Sequence, residues 1–235
     1  MTSLHLRLRQ FAFGAGIVAI FVSASVLFGW GANIPCLTNL SPRFITMKPL
    51  TAVCFLLSGG SLCLLVFRSS IAVARSRLAQ VLALLVVFVG VATLAEFTVG
   101  VDFPFENSLF PGALGATGIP APGRLALASA IAFVILGSAL IFFDFETHRG
   151  ARPAQYLALC VTDIALLHLL AYLFDFEDLY RTFHGNSMAL HTAGLFFILG
   201  LGVFAARPDR GLAAGFNAPG IAGCMARRLL PSAAV

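Results

Sequence analysis

Charged side chains are scarce in this chain of 235 residues. Only 11% of the residues are Asp, Glu, Lys or Arg, whereas 59% are apolar and the mean hydropathy is +0.95. Soluble globular domains carry about 25% charged and about 45–50% apolar residues. The composition therefore excludes most water-soluble folds, and we expect an all-α integral membrane protein that forms a single domain over residues 1–235.

Motifs for catalysis, metal binding and phosphate binding are also lacking. The sequence has no Cys-x-x-Cys, His-Glu-x-x-His, Gly-x-Ser-x-Gly or glycine-rich phosphate loop. Its five cysteines are odd in number and lie mostly in apolar runs, which suits buried thiols. The basic residues are spread between the apolar runs and form no patch for nucleic acid. We therefore expect no enzyme, no metal site and no nucleic-acid partner.

Six apolar runs are long enough, at about 20 residues each, to cross about 30 Å of hydrocarbon as helices. They lie near residues 10–31, 47–67, 78–100, 124–143, 154–174 and 188–206. With the N-terminus inside, the inner side holds all of the 15 basic residues except Arg43, Lys48, Arg124 and Arg181. Because cytoplasmic flanks collect Lys and Arg, both termini are predicted on the cytoplasmic side of a bacterial inner membrane, with 207–235 as a cytoplasmic tail.

The second, fourth and sixth runs share a repeated stripe. Aligning residues 47–59, 125–137 and 188–200 brings a hydroxyl, an Ala, a Phe and a Gly into register. The matched positions are Thr51/Ser129/Thr192, Ala52/Ala130/Ala193, Phe55/Phe133/Phe196 and Gly59/Gly137/Gly200. The hydroxyl, Phe and Gly are four residues apart, so they share one helix face. We therefore predict three parallel helical-hairpin repeats, approximately 10–67, 78–143 and 154–206, in a pseudo-threefold bundle.

The repeated stripe has two interpretations. Small and hydroxyl residues let membrane helices approach closely, so the stripe can be a packing face alone. Alternatively, Thr51, Ser129 and Thr192 line a central pocket near the outer leaflet, in which a lipophilic ligand sits. The sequence leaves both open.

Two motifs, Met-Lys-Pro-x-Thr-Ala and Ala-Arg-Pro-Asp-Arg-Gly, carry a resemblance. Residues 44–57, 188–193, 206–211 and 223–231 resemble the N-terminal multi-pass membrane region of bacterial sensor proteins. In that family the region precedes PAS, histidine-kinase or diguanylate-cyclase modules, so the resemblance implies a sensory role. These 235 residues contain no phosphoacceptor His box, ATP lid, GGDEF-type turn or PAS domain. We therefore expect no output domain within them.

Three ionisable residues lie inside the last two runs. Asp163 is near the middle of the fifth run, where a charge costs about 2.5–3.5 kcal/mol, so its side chain is expected to face protein or water. It is either a functional carboxyl or a protonated one that hydrogen-bonds a neighbouring helix. His168 and His191 are predicted roughly 9 Å and 5 Å below the outer surface at 1.5 Å per residue. Two such imidazoles can ligate haem axially, or can simply bond within a packed core.

Lys48 and Glu96 are predicted to form a structural ion pair. Both lie near the outer end of adjacent runs, where each charge alone is costly and the two together neutralise one another. The alternative is a lysine that snorkels to headgroups and a hydrated glutamate.

Three classes of function stay open. The first is a non-enzymatic sensory module that binds a lipophilic or periplasmic signal. Its candidate ligand-binding residues are Thr51, Ser129, Thr192, Asp163, His168 and His191. The second is a structural or accessory subunit of a larger respiratory or photosynthetic membrane complex, and the third is a small haem- or quinone-binding protein. Only the third requires a cofactor. The expected partners are membrane lipids and either another membrane protein or a second copy of the chain.

Overall fold

The computed structural model describes residues 3–39, 45–66, 72–100, 109, 123–148, 150–174 and 188–217, and these residues form helices without strands. The helices are α1 (Ser3–Gly31), α2 (Pro35–Thr38), α3 (Pro49–Val66), α4 (Ala72–Val99), α5 (Leu127–Ile141), α6 (Pro153–Leu173), α7 (Leu190–Ala205) and α8 (Gly211–Asn217). Each of the six predicted runs overlaps one of the longer helices, and α1 and α4 begin before their runs, at Ser3 and Ala72. The prediction of an all-α chain is therefore confirmed for this part of the sequence.

Four helices, α1, α3, α4 and α6, are long and apolar enough to cross a membrane. The other two apolar helices are shorter than predicted, with 15 residues in α5 and 16 in α7. Both begin late because the residues before them are extended. Ala126 has φ −65° and ψ 144°, and Ala189 has φ −68° and ψ 151°. The helices are those of a membrane protein, with four candidate spans and two shorter apolar helices.

The helices pack as consecutive pairs, α1 with α3, α4 with α5, and α6 with α7. Further contacts join α3 to α4, α5 to α6 and α7 to α1, which closes a ring. In addition, α3, α5 and α7 contact one another, so these three form the centre, and we call them the inner helices. Burial agrees with this arrangement: 67% of the most apolar window of α3 is buried, against 33% or less for α1, α4 and α6.

Three phenylalanine rings meet where the inner helices converge. The ring centroids of Phe55, Phe133 and Phe196 are 4.8, 4.6 and 4.6 Å apart, and all three side chains are fully buried. Tilted and edge-to-face pairs at this spacing are favourable for aromatic rings. We call this set the Phe triad; it consists of one matched residue from each aligned segment.

The three matched glycines bring each inner helix against the first helix of its own pair. A Cβ on Gly59 would lie 2.7 Å from the Gly16 carbonyl oxygen, and one on Gly137 would lie 3.0 Å from that of Ala83. A Cβ on Gly200 would lie 3.0 Å from the Ala158 carbonyl oxygen. Backbone atoms cannot move aside as a flexible side chain can, so these contacts require glycine.

Arg207 lies at the C-terminal ends of the three inner helices and contacts residues at those ends. Its guanidinium donates to the Asp144 carboxylate at 2.8 Å and to the Leu65 carbonyl at 3.5 Å, and it lies 4.7 Å from the ring centroid of Phe143. Leu65 is in the last turn of α3, Phe143 and Asp144 follow α5, and Arg207 follows α7. One side chain therefore contacts all three inner helices or the residues directly after them.

The segment that follows α7 is fastened to the start of α6. Glu146 accepts hydrogen bonds from Arg210 at 3.0 Å and from Arg152 at 3.2 Å, and these bonds lower the pKa of its carboxyl. Gln155 donates to the Arg210 carbonyl at 3.0 Å. Gly211 has φ +60°, and a Cβ there would overlap the Gln155 amide oxygen, so the turn needs glycine. We call these contacts, with those of Arg207, the polar clamp.

Some sequence predictions lie outside the described residues. These include residues 218–235 of the predicted tail and the outer-side residues Arg43 and Arg181.

Candidate functional site

Three matched residues, Lys48, Ala126 and Ala189, directly precede the inner helices, and their carbonyls accept the first helical hydrogen bonds. The amide of Ala52 bonds to the Lys48 carbonyl at 3.1 Å, that of Ala130 to the Ala126 carbonyl at 2.9 Å, and that of Ala193 to the Ala189 carbonyl at 3.0 Å. No side chain caps α5 or α7 at Ala126 or Ala189. Three helix N-termini therefore meet at one end of the centre, opposite the polar clamp.

A half-enclosed recess lies between these N-termini and contains about 200 Å³ of unfilled space, part of it open to solvent. Its lining contains the three residues that directly precede the inner helices and the three matched hydroxyl residues, together with two residues from the segment before α3. In chain order these are Thr46, Met47, Lys48, Thr51, Ala126, Ser129, Ala189 and Thr192. The space that the centre of a water molecule can reach in this recess is about 10 Å³, so the recess suits a ligand not much larger than one water molecule.

The three matched hydroxyl residues are buried and open into the recess. Thr51 is 4% exposed, and Ser129 and Thr192 are each 2% exposed. None of their hydroxyls has a hydrogen-bond partner among the described residues. By contrast, the hydroxyls of Ser58 and Thr162 donate to carbonyls one turn earlier, at 2.8 Å in both cases.

Two aromatic side chains occupy the carbonyls one turn before the recess hydroxyls. The indole nitrogen of Trp30 donates to the Met47 carbonyl at 2.9 Å, and the Tyr172 hydroxyl donates to the Met188 carbonyl at 2.7 Å. These two carbonyls lie four residues before Thr51 and Thr192, where a helical hydroxyl finds its usual local acceptor. One lone pair of the local acceptor of Thr51 and of Thr192 is therefore already used.

Two cations and one carboxylate lie beside the recess. The Lys48 ammonium donates to the carbonyl of Arg124, across the recess, and the Arg124 guanidinium nitrogen lies 3.3 Å from a carboxylate oxygen of Glu96. Glu96 is 1% exposed. Arg124 therefore lies against Glu96, and the Lys48–Glu96 ion pair predicted from the sequence stays a prediction.

The remaining predicted site residues do not line the recess. Asp163 is exposed on the surface of α6, and the expectation that its side chain faces protein or water stays a prediction. The ring Nδ1 of His168 lies 2.8 Å from the Ile164 carbonyl in the same helix. Both ring nitrogens of His191 are buried and have no hydrogen-bond partner. The haem and quinone alternatives stay predictions, and the described residues contain no group of His, Cys, Asp and Glu that could hold a metal ion.

Sequence reasoning missed several residues of the site. Trp30, Tyr172 and Arg124 were not singled out, and Lys48 was assigned to the ion pair alone. The aligned segments contained a usable signal, because Met47, Leu125 and Met188 match and are each followed by the residue that directly precedes an inner helix. The long side chains next to Met47, Leu125 and Met188 in the sequence were therefore candidates to line the recess.

Comparison with protein-family models, with curated proteins and with solved structures found no match for this chain.

Proposed function

We propose that the chain is a non-enzymatic sensory module of the bacterial inner membrane, in which six helices cross the bilayer as three hairpins about a pseudo-threefold axis. Both termini are cytoplasmic, so the recess faces the outer side and the polar clamp the cytoplasm. The ligand is a small polar molecule that enters the recess from the periplasm. This choice narrows the expectation of a lipophilic or periplasmic signal, since the lining is polar and the space is small.

Three sets of matched residues support the threefold arrangement. The Phe triad, the three close-approach glycines and the three helix starts each take one residue from every aligned segment. The shorter length of α5 and α7 is compatible with spanning. Extended backbone at membrane depth is tolerated where it is buried in protein or lines a water-filled cavity. The extended residues Ala126 and Ala189 line the recess.

The observation that carries the proposal is the set of three hydroxyl side chains, those of Thr51, Ser129 and Thr192, that line the recess without a hydrogen-bond partner among the described residues. The three residues are at most 4% exposed, but their oxygens are not among the fully enclosed polar atoms without a partner, so the recess gives solvent access to them. A ligand that bonds these hydroxyls therefore replaces water at three matched positions.

Two serines of the inner helices, Ser129 in α5 and Ser61 in α3, allow a matched test of this proposal. Ser129 has no partner, whereas the Ser61 hydroxyl donates to the Ala79 carbonyl at 2.9 Å and joins α3 to α4. We expect Ser61→Ala to lower the unfolding free energy in detergent by about 0.6–1.7 kcal/mol. We expect Ser129→Ala to cost nothing without ligand and to abolish stabilisation by any solute that binds the recess. Equal losses in the two variants would contradict a ligand-binding role for the hydroxyls.

The position of Asp163 favours a second function, that of an accessory subunit. Asp163 is the eleventh of the 21 residues of α6, so it lies at the middle of a candidate span, and it is exposed. A carboxyl that faces lipid at mid-depth is costly, and such residues almost always face protein or water. The partner that fits is another protein's membrane helix with a basic or hydroxyl side chain at that depth.

Cys160 makes this second candidate testable, because it is exposed one turn from Asp163 on the same helix. Oxidative cross-linking in native membranes is expected to join Cys160 to a different chain, and Asp163→Leu is expected to prevent it. Leu167→Ala, at an exposed position one turn further along, serves as the control. A Cys160–Cys160 dimer would contradict the accessory role and indicate a homo-oligomer.

A further inference from the structure

We propose that the recess ligand is a small inorganic anion of about the size of a halide, held by the three hydroxyls, the Lys48 ammonium and the N-terminal turns of α3, α5 and α7. This inference rests on the proposed ligand-binding function and specifies its ligand.

The dipoles of the three inner helices favour an anion in the recess. The N-terminus of a helix carries a partial positive charge of about half a unit and free amide donors, so it attracts anions. In this protein three N-termini open on one recess, and side chains cap neither Ala126 nor Ala189. Three aligned dipoles therefore repel a cation and stabilise an anion at the same point.

The three matched hydroxyls favour an anion independently of the dipoles. Thr51, Ser129 and Thr192 are at least 96% buried, lack partners among the described residues and open into the recess, so each hydroxyl has a hydrogen to donate. A ligand that only accepts hydrogen bonds satisfies all three at once. A monatomic or small oxygen-containing anion is such a ligand.

The net charge of the side chains beside the recess is positive. Lys48 is the sole lysine of the chain and lines the recess. The neighbouring carboxylate, Glu96, lies against the Arg124 guanidinium at 3.3 Å, so its negative charge is balanced by a second cation. The side chains of Lys48, Arg124 and Glu96 together carry one net positive charge. Charge-assisted bonds to an ammonium are stronger than neutral ones, which adds to the preference for an anion.

The single tryptophan provides the measurement. The Trp30 indole nitrogen is 2.9 Å from the carbonyl of Met47, and Met47 lines the recess. Iodide quenches indole fluorescence, so an iodide bound in the recess is expected to give a quenching component that saturates. Chloride does not quench and is expected to compete. Neutral acrylamide is the control for general access to the indole.

The experiment is an iodide titration of the full chain in detergent free of phospholipid, at constant ionic strength. The structure predicts saturable quenching that chloride relieves. Lys48→Met should raise the half-saturating iodide concentration about tenfold, in keeping with the loss of a hydrogen bond to a charged group. Arg77→Met, which removes an exposed cation near the opposite end of α4, should leave the titration unchanged. Acrylamide quenching should be the same in all three proteins.

Three outcomes would contradict the proposal that the recess binds a small inorganic anion. One is iodide quenching that is linear and identical in the wild type and Lys48→Met. Another is saturable quenching that survives both Lys48→Met and Thr192→Val, which would place the iodide elsewhere. The third is competition by added phosphatidylglycerol but not by chloride, which would assign the site to a lipid headgroup.

The proposed function and the identity of the ligand fail separately. In one outcome, iodide does not bind while a neutral polar solute stabilises the wild type and not Ser129→Ala. That result would contradict the anionic ligand and would support the ligand-binding function. If no solute distinguishes wild type from Ser129→Ala, both fall.

Discussion

The two ends of the inner helices are built differently. At the polar clamp, Asp144 and Glu146 each accept from arginine side chains, and Arg207 contacts all three inner helices or the residues after them. At the recess, three buried hydroxyls lack partners and about 200 Å³ is unfilled. Polar residues in one small bundle therefore serve two purposes. One end holds the helices together, and the other leaves hydrogen-bonding capacity unused.

The Phe triad lies between these two ends, and its removal is expected to have the largest effect on stability. Phe133→Ala should lower the unfolding free energy by about 3–5 kcal/mol, because it leaves a cavity among buried rings. Phe88→Ala is the matched control, since Phe88 is 66% exposed on α4. Chemical unfolding in mild detergent measures both. Similar losses of unfolding free energy in the two variants would contradict the role of the Phe triad as a packed layer between the two ends.

The close-approach glycines are the next test. A Cβ at Gly137 would lie 3.0 Å from the Ala83 carbonyl oxygen, whereas one at Gly194 would meet nothing within 4 Å. Gly137→Leu should therefore cost about 1–3 kcal/mol or more by overpacking, and Gly194→Leu much less. Thermal unfolding compares them directly. If the two variants lose equal amounts of folded protein, close approach within the pairs has no special role.

The charges beside the recess allow a finer comparison. A double-mutant cycle of Glu96→Gln with Arg124→Met should give a coupling above about 1 kcal/mol, because the carboxylate is buried against the guanidinium. The cycle of Glu96→Gln with Lys48→Met tests the ion pair predicted from the sequence in the same way. Coupling close to zero for Arg124 would contradict its role as a partner of Glu96.

The smallest effect concerns pH at the polar clamp. Hydrogen bonds from Arg210 and Arg152 lower the pKa of Glu146 in the folded chain, so its stabilisation is present above the ordinary glutamate pKa of 4.5 and is lost as the pH falls through the lowered value. Glu146→Gln should therefore be slightly less stable than wild type at neutral pH. The gap should close in acid. A gap that is independent of pH would exclude an ionic contribution from Glu146.

Much of the fold could be predicted from the sequence, because apolar length and the repeat of Phe55, Phe133 and Phe196 report helices and their shared face. The starts of α5 and α7 could not. Leu125, Ala126 and Ala189 are apolar residues that would fit equally well in the first turn of a helix. The sequence therefore does not reveal the extended backbone that the structure has at Ala126 and Ala189. Depth in a run also did not indicate that Arg124 lies 3.3 Å from Glu96, because Arg124 precedes its helix.

The most direct measurement uses the sole lysine. An amine reagent that does not cross membranes, applied to sealed right-side-out vesicles, is expected to modify Lys48 and to leave the N-terminal amine unmodified, as peptide mass spectrometry would show. Inside-out vesicles should give the reverse. This result follows if the recess is open to water at the outer side. Lys48 that reacts only in inside-out vesicles, or only after the membrane is dissolved, would contradict it.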